Sequence, residues 1–297
     1  SRDLELAKMI ELIPDLKKSK NKAEAIKKIK EAAKFVQVKE IRNRIQKSNK
    51  FNLNYFMNAY KIGNIIEEIE KTASNYFDMV EFDPPYAINY NKFAKSRNSL
   101  STKNYKELNI KEFNILIDKI IKESQRILKK DSWIIIWSQH CMLKRIKDSL
   151  ILHNFKSINF GFWVKPKSGV TLQPNMYLAS SVEPFVYAKK GNPNIKRPGR
   201  SNAFFFNTIP GSTKEPRYHP TQKPIVLYEE LLSTFLDPGE KIFVPCCGSG
   251  ATLKAAFNLD MEAIGVEIEE LYRDFYIESI KEGKPFKDYY DCTVKFK

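Results

Sequence analysis

The sequence predicts a doubly wound α/β sheet with a small helical N-terminal extension, and two observations carry the prediction. From Asn52 onward, short apolar runs alternate with amphipathic helical stretches, the sequence form of a parallel sheet covered by helices. Between one such run and the helix after it lies a glycine-bearing loop, Val244-Pro245-Cys246-Cys247-Gly248-Ser249-Gly250. That is where a strand-to-helix turn of an open α/β sheet receives a ligand. At 297 residues the chain has room for one large domain with an appendage, or two small ones, at roughly 100–200 residues per domain.

Taken in order, residues 1–50 hold 15 Lys or Arg against 7 Asp or Glu, a net of +8 out of the chain's +15. Ala23, Ile26, Ile29, Ala33 and Val36 recur between lysines at the spacing of an amphipathic helix. We expect a basic helical region over 1–50, its charged face either solvated or laid on nucleic acid, and a second domain over 51–297.

In that second domain Phe77–Phe82 reads as a buried strand. Phe113, Leu116, Ile117, Ile120, Ile127 and Leu128 mark one helix face, and Trp133–Trp137 is the strand after it. Further strands are expected at Ile158–Val164, Val182–Ala188, Ile242–Val244 and Ala263–Val266, and helices at Ile225–Leu236 and Ala251–Asn258. Residues 87–106 and 189–218 are polar, basic and without period; loops of that length in a compact domain are usually functional or disordered.

Composition narrows the class. A hydrophobic fraction of 42% is ordinary for a globular core and argues against long disorder. No apolar run approaches the roughly 20 residues of a spanning helix, and the opening Ser-Arg-Asp-Leu-Glu has no signal-peptide core, so a soluble, cytoplasmic protein without a membrane partner is expected. Four cysteines and three histidines give neither a disulfide framework nor a zinc spacing, so no metal is expected. The +15 charge points to a polyanion partner, because Lys and Arg that neutralise phosphates release condensed counterions. Composition alone leaves DNA, RNA and an anionic surface open, and a Lys/Asn/Ile-rich genome would raise the lysine count too.

Four motifs carry chemistry. Asp83-Pro84-Pro85-Tyr86 directly follows the strand Phe77–Phe82. Its prolines stiffen the backbone at the carboxyl end of a parallel strand, where ligands bind, so Asp83 and the Pro84 carbonyl become fixed acceptors. The loop 244–250 is the second motif, with Thr252 opening the following helix; Leu253 keeps it from being a full dinucleotide fingerprint. Glu267 ends the next strand, where a nucleotide-binding unit places an acid for ribose hydroxyls; alone, such a glutamate is more often solvated. His219-Pro220-Thr221-Gln222-Lys223-Pro224 introduces the helix from Ile225, with Pro224 suited to its first turn.

Together and in this order, the four motifs resemble those of the permuted (beta) group of amino-methyltransferases, which use S-adenosylmethionine to methylate exocyclic amines of DNA bases. The resemblance covers roughly residues 52–280. It implies a Rossmann-like methyltransferase sheet, S-adenosylmethionine as cofactor and double-stranded DNA as partner. Asp83 and the Pro84 carbonyl, held by Pro85, then accept hydrogen bonds from the target amine and aim its lone pair at the methyl group. Tyr86 stacks on the flipped base.

For the cofactor, the resemblance assigns Gly248 and Gly250 to the methionine part, with Cys246 and Thr252 beside them. Glu267 takes the ribose hydroxyls, Thr221 and Lys223 the methionine carboxylate, and Asn58 stands nearest the cofactor adenine. Lys223 also fits a plain solvated lysine. Exocyclic amine methylation needs no thiol nucleophile, so Cys246 and Cys247 are read as small apolar packing residues. Asp-Pro-Pro-Tyr, as opposed to Ser-Pro-Pro-Tyr, leans toward adenine; cytosine N4 and adenine in RNA are the alternatives.

The target-recognition insertion falls at about 189–218, where basic residues interleave with the aromatic run Phe204–Phe206, as phosphate contact and base stacking require. The expected DNA contacts are Lys95, Arg97, Lys165, Lys196, Arg197, Arg200, Lys214 and Arg217, against an ordinary solvated loop with Phe204–Phe206 as a strand. The region is short for a monomer gripping a duplex, so the basic 1–50 helices, a homodimer mate or a partner subunit is expected to complete the grip.

The chain departs from the pattern twice. Val244 stands where relatives carry an aspartate that meets the cofactor's ammonium, and Asn58 where they carry an acid for the adenine. Asp83 is the expected substitute for the first. The two losses imply weaker cofactor binding or, alternatively, a DNA-binding subunit that has lost turnover.

Overall fold

The computed structural model describes residues 53–85, 108–166, 175–209, 221–281 and 292–294. The chain divides into two compact units, Ser1–Tyr55 and Phe56–Lys297; the basic helices expected over 1–50 lie outside the described residues.

In chain order the elements are α1 (Leu53–Ala59), β1 (Tyr60–Ile62), α2 (Ile65–Glu70), β2 (Phe77–Phe82), α3 (Ile110–Ile127), β3 (Leu128–Trp137), a 3-10 turn (His140–Met142), α4 (Leu143–Leu152), β4 (Lys156–Val164), β5 (Val182–Lys190), β6 (Ala203–Phe205), α5 (Ile225–Phe235), β7 (Lys241–Pro245), α6 (Ala251–Asn258), β8 (Glu262–Glu267) and α7 (Glu270–Lys281). The expected strands are all present, most extended by a few residues. Leu128, read as the end of a helix face, instead caps α3 and opens β3, because α3 passes into the strand with no intervening loop.

One eight-stranded sheet runs in the order β1-β8-β7-β2-β3-β5-β4-β6. β1, β8, β7, β2 and β3 are mutually parallel; β5 runs antiparallel to β3 and β4, and β6 lies parallel to β4. The chain leaves β2 toward β3 on one side and β7 toward β8 on the other. The carboxyl ends of β2 and β7 therefore flank a topological switch point, where an open α/β sheet forms its ligand crevice.

Strand alternation divides the core between the two faces. Val80, Phe82 and Phe243 face Phe113, Ile117 and Ile120 of α3 in one continuous apolar cluster. Asn109 begins α3 with a capping box, accepting from Glu112 N while the Glu112 carboxylate accepts from Asn109 N. On the opposite face Trp133 and Trp137 pack edge-on against Phe235 and Tyr228 of α5. Met79 and Glu81 share that second face with Trp133 and Ile135, which are their register partners on β3.

The expected recognition insertion begins inside regular structure: Lys189 and Lys190 end β5, and Ala203–Phe205 forms β6 on the sheet edge. Residues 210–218, with Lys214 and Arg217, and residues 87–106, with Lys95 and Arg97, lie outside the described residues. Among the described residues no helix is long and apolar enough to cross a membrane, and no cluster of three or more His, Cys, Asp or Glu is disposed to hold a metal.

Candidate active site

A cleft opens at the carboxyl ends of β2, β7 and β8, enclosing about 900 Å³ with its solvent mouth included. Asp83, Pro84 and Pro85 form one wall and Thr221 and Lys223 another. Cys246, Gly248, Thr252 and Glu267 complete it from the glycine loop and the end of β8. All four motifs, far apart in sequence, are thereby brought to one site. Neither Gly250 nor Asn58, which is exposed on α1, is in the lining. Tyr86 and His219 lie outside the described residues.

The loop after β7 needs unusual backbone. Cys246, Gly248 and Gly250 all have positive φ (54°, 50° and 71°), a region costly to residues with a Cβ. A Cβ on Gly250 would lie 2.4 Å from the Tyr276 ring. The loop is fastened at both sides: Gly248 N donates to Glu267 Oε2 at 2.9 Å, and its carbonyl accepts from the Tyr60 hydroxyl at 2.5 Å. Burial pushes the Cys246 and Cys247 thiols well above their usual range, with Glu267 adding to it. Both are therefore protonated packing groups, poor nucleophiles.

Glu267 is buried and acceptor-only, with Ile268 N and Glu269 N on Oε1 at 2.9 and 3.2 Å. Burial raises its pKa, while the three backbone N–H groups pull the other way. They fix the carboxylate at the cleft wall with lone-pair capacity remaining for hydroxyl donors.

On the opposite side Lys223 is buried, its Nζ 2.5 Å from Asp83 Oδ2, 2.8 Å from Glu183 Oε1 and 4.7 Å from the centre of the Trp137 ring. Burial works against its charge, but Asp83 and Glu183 outweigh that and hold the ammonium above its ordinary range. Glu183 also pairs with Lys165 at 2.7 Å. Burial opposes its charge too, yet Lys223 and Lys165 bring its carboxyl down to about 2. Lys223 is thus no solvated lysine. Pro224, expected in the first helical turn, is the extended residue between Lys223 and α5.

Glu183 and Glu81 were not among the expected site residues. Each left a trace in the sequence: Glu183 is the one acid of its strand, and Glu81 stands at an even spacing from Asp83. Glu81 is 1% exposed and accepts from Trp137 Nε1 at 2.7 Å and Thr252 Oγ1 at 3.0 Å.

Of the expected DNA contacts that are described, each has an acidic neighbour. Lys165 pairs with Glu183, Lys196 with Asp237 at 2.5 Å, and Arg197 and Arg200 share Glu230 at 2.9 Å each. Arg200 also lies over the Phe204 ring at 4.6 Å. The pairs of Lys196, Arg197 and Arg200 tie the segment before β6 to α5 and its end.

The chain is similar to known DNA methyltransferases. The chain is 27% identical over 237 residues to the type II methyltransferase M2.MboI of Moraxella bovis, covering 71% of this chain and 83% of that one. It is 25% identical over 264 residues to the type II methyltransferase M.HinfI of Haemophilus influenzae, covering 80% and 72%. Among solved structures, the M1.HpyAVI–SAM complex superposes with a TM-score of 0.57 at 19% identity, over 74% of this chain and 97% of that one. The cytosine-N4-specific PvuII DNA methyltransferase also gives 0.57, at 16% identity, over 75% and 92%; both likenesses are of fold. The model of the N6/N4 methyltransferase family, described as DNA methylase, matches residues 77–279, the span from β2 through the cleft to α7, and the chain belongs to that DNA methylase family.

Proposed function

We propose that the chain transfers a methyl group from S-adenosylmethionine to the exocyclic amine of an adenine flipped out of double-stranded DNA. The observation that carries this reading is the placement of Asp83 and Pro84 at the end of β2, in the same cleft as Glu267 and the glycine loop. The donor set fits the cofactor: an acceptor-only carboxylate at Glu267 suits ribose hydroxyls, and the mixed cluster of Lys223, Asp83 and Glu81 suits a zwitterionic amino acid. When bound, the cofactor supplies an electrophilic methyl group on a sulfonium.

The chain's own residues do the rest by positioning. The Asp83 carboxylate and the Pro84 carbonyl accept the amine N–H groups and turn the nitrogen lone pair toward the methyl carbon. Tyr86 stacks on the extruded base, recovering part of the few kcal/mol that unstacking costs, about 1–3 kcal/mol for such a contact. No covalent enzyme intermediate is needed, in keeping with the protonated Cys246 and Cys247. An aspartate at position 83 favours adenine, and a relative 24% identical over 245 residues is the DNA adenine methyltransferase YhdJ of Escherichia coli.

Grip on the duplex comes from Lys95, Arg97, Lys214 and Arg217, together with the basic region 1–50 or a second subunit; such an enzyme works in the cytoplasm, where its DNA is. Deleting residues 1–50 is then expected to weaken DNA binding and flatten its salt dependence. The central test is transfer of a labelled methyl group to unmethylated genomic DNA, with the nucleosides separated by mass. Label in N6-methyladenine is expected; label in N4-methylcytosine would replace the base assignment, and no label would overturn the reading.

A further inference from the structure

Lys165, Glu183, Lys223 and Asp83 form a continuous line of ion pairs, two cations against two carboxylates. Glu81 is a third carboxylate beside them, and among the described residues its oxygens meet neutral donors, the Trp137 indole N–H and the Thr252 hydroxyl. Taking a carboxylate out of water is expensive unless a cation accompanies it. Burial, then repulsion from Asp83, raises the Glu81 carboxyl to about 7, with Thr252, Lys223 and Trp137 pulling against them. The side chain nonetheless borders the cleft, so the missing cation has a way in.

The sheet register gives this carboxylate its place. β2 and β7 are parallel, with Met79 opposite Ile242 and Val80 opposite Phe243. One residue further, Glu81 comes opposite Val244, and register partners in adjacent parallel strands face the same side of the sheet. Both border the cleft. Val244 is an apolar residue beside the glycine loop, and the acid stands one strand away.

Resting on the reading of this cleft as the cofactor site, we propose that Glu81 receives the ammonium of the cofactor's amino-acid arm, the negative charge being supplied from β2 at the level of Val244 on β7. An ammonium brings three donors and one positive charge. It uses acceptor sites that Trp137 and Thr252 leave on the two oxygens, and it balances the fifth charge of the cluster. Asp83, already held by Lys223, is then left to the target amine. This differs from the expectation drawn from sequence, in which Asp83 served both groups.

The experiment measures binding without turnover, by calorimetry of the full chain. The probes are S-adenosylhomocysteine, which keeps the ammonium and lacks the sulfonium, and methylthioadenosine, which lacks the amino-acid arm. Glu81→Gln keeps an acceptor for the Trp137 indole N–H, lets the Thr252 hydroxyl turn to accept from the new amide N–H, and removes the charge. It is expected to weaken S-adenosylhomocysteine by about tenfold or more and to leave methylthioadenosine unchanged. Adding Val244→Asp to that variant should restore much of the loss by returning a carboxylate to the same level of the sheet. Ligand-free thermal unfolding checks the fold; if Glu81→Gln does not fold, Glu81→Asp, which withdraws the charge by one methylene, should show the same selective loss at smaller amplitude. Equal affinity of wild type and the folded variant for S-adenosylhomocysteine, or equal loss for both probes, would overturn the assignment. Failure of the wild type to bind either probe would instead overturn the cofactor reading of the cleft.

Discussion

The Lys223 ammonium lies 2.5 Å from Asp83 Oδ2 and 2.8 Å from Glu183 Oε1, so the aspartate at the end of β2 is held by a side chain from the approach to α5 and, through it, by β5. Asp83 is followed by two prolines and preceded by a buried strand, which fixes its backbone; Lys223 fixes its carboxylate. Preorganisation of this kind is what a reaction that relies on aiming an amine requires. In the proposed mechanism Lys223 therefore also acts as a positioning residue for Asp83. Replacing it with Met leaves Asp83 and Glu183 without their shared cation, and breaking a buried pair typically costs about 3–5 kcal/mol. The expected outcome is a lower unfolding midpoint and a fall in kcat larger than the change in KM for DNA, measured by thermal unfolding and steady-state methyl transfer. Wild-type kcat in a folded variant would refute the role.

Asp83→Ala removes the acceptor itself. Turnover should be lost, while S-adenosylhomocysteine binding stays measurable by calorimetry, because Glu267 and the glycine loop are untouched. Full activity of Asp83→Ala would sink the mechanism.

Two buried acids, Glu81 and Glu183, should contribute to stability with opposite pH dependence. Glu81 has a folded pKa of about 7, above its ordinary value of 4.5. Its contribution is therefore fully present below about pH 4.5 and is lost as pH rises through 7, on the order of 3 kcal/mol. Glu183 behaves oppositely: its folded pKa of about 2 lies below 4.5, so its contribution is present above pH 4.5 and is lost as pH falls toward 2. Unfolding by denaturant between pH 4 and 8 should show ligand-free stability declining toward pH 8, and Glu81→Gln should flatten that decline. An unchanged slope in the variant would assign the titration elsewhere.

The sheet and the two ends of the cleft were legible because their signals are local. Val-Glu-Phe-Asp-Pro-Pro places Asp83 at a strand end, and the glycine loop marks its own turn. Short β1 was not legible: three residues, Tyr60–Ile62, carry no period, and only pairing with β8 makes them a strand. Nor was the state of Lys223, whose burial depends on β5 bringing Glu183 across the sheet. The same applies to Lys165, Lys196, Arg197 and Arg200, whose acidic neighbours come from β5, α5 and the turn after α5. A basic loop in sequence does not reveal which of its charges the fold uses internally.

Gly250→Ala tests how the glycine loop is held. At φ 71° the new Cβ occupies the left-handed region, which costs about 1–2 kcal/mol, and it meets the Tyr276 ring at 2.4 Å, adding an overpacking cost of about 1–3 kcal/mol. Tyr276 is not free to yield cheaply, because its ring packs 4.9 Å from that of Tyr60, whose hydroxyl donates to Gly248 O. A push at Gly250 is thus passed to the carbonyl beside the Glu267 contact. Gly199→Ala is the control: its φ of 79° carries the same backbone cost, with nothing within 4 Å of the added Cβ. Gly250→Ala should therefore lose more stability than Gly199→Ala and, unlike it, weaken S-adenosylhomocysteine binding. Equal destabilisation by the two, with unchanged affinity in both, would mean that the Tyr60–Tyr276 stack does not set the shape of the loop.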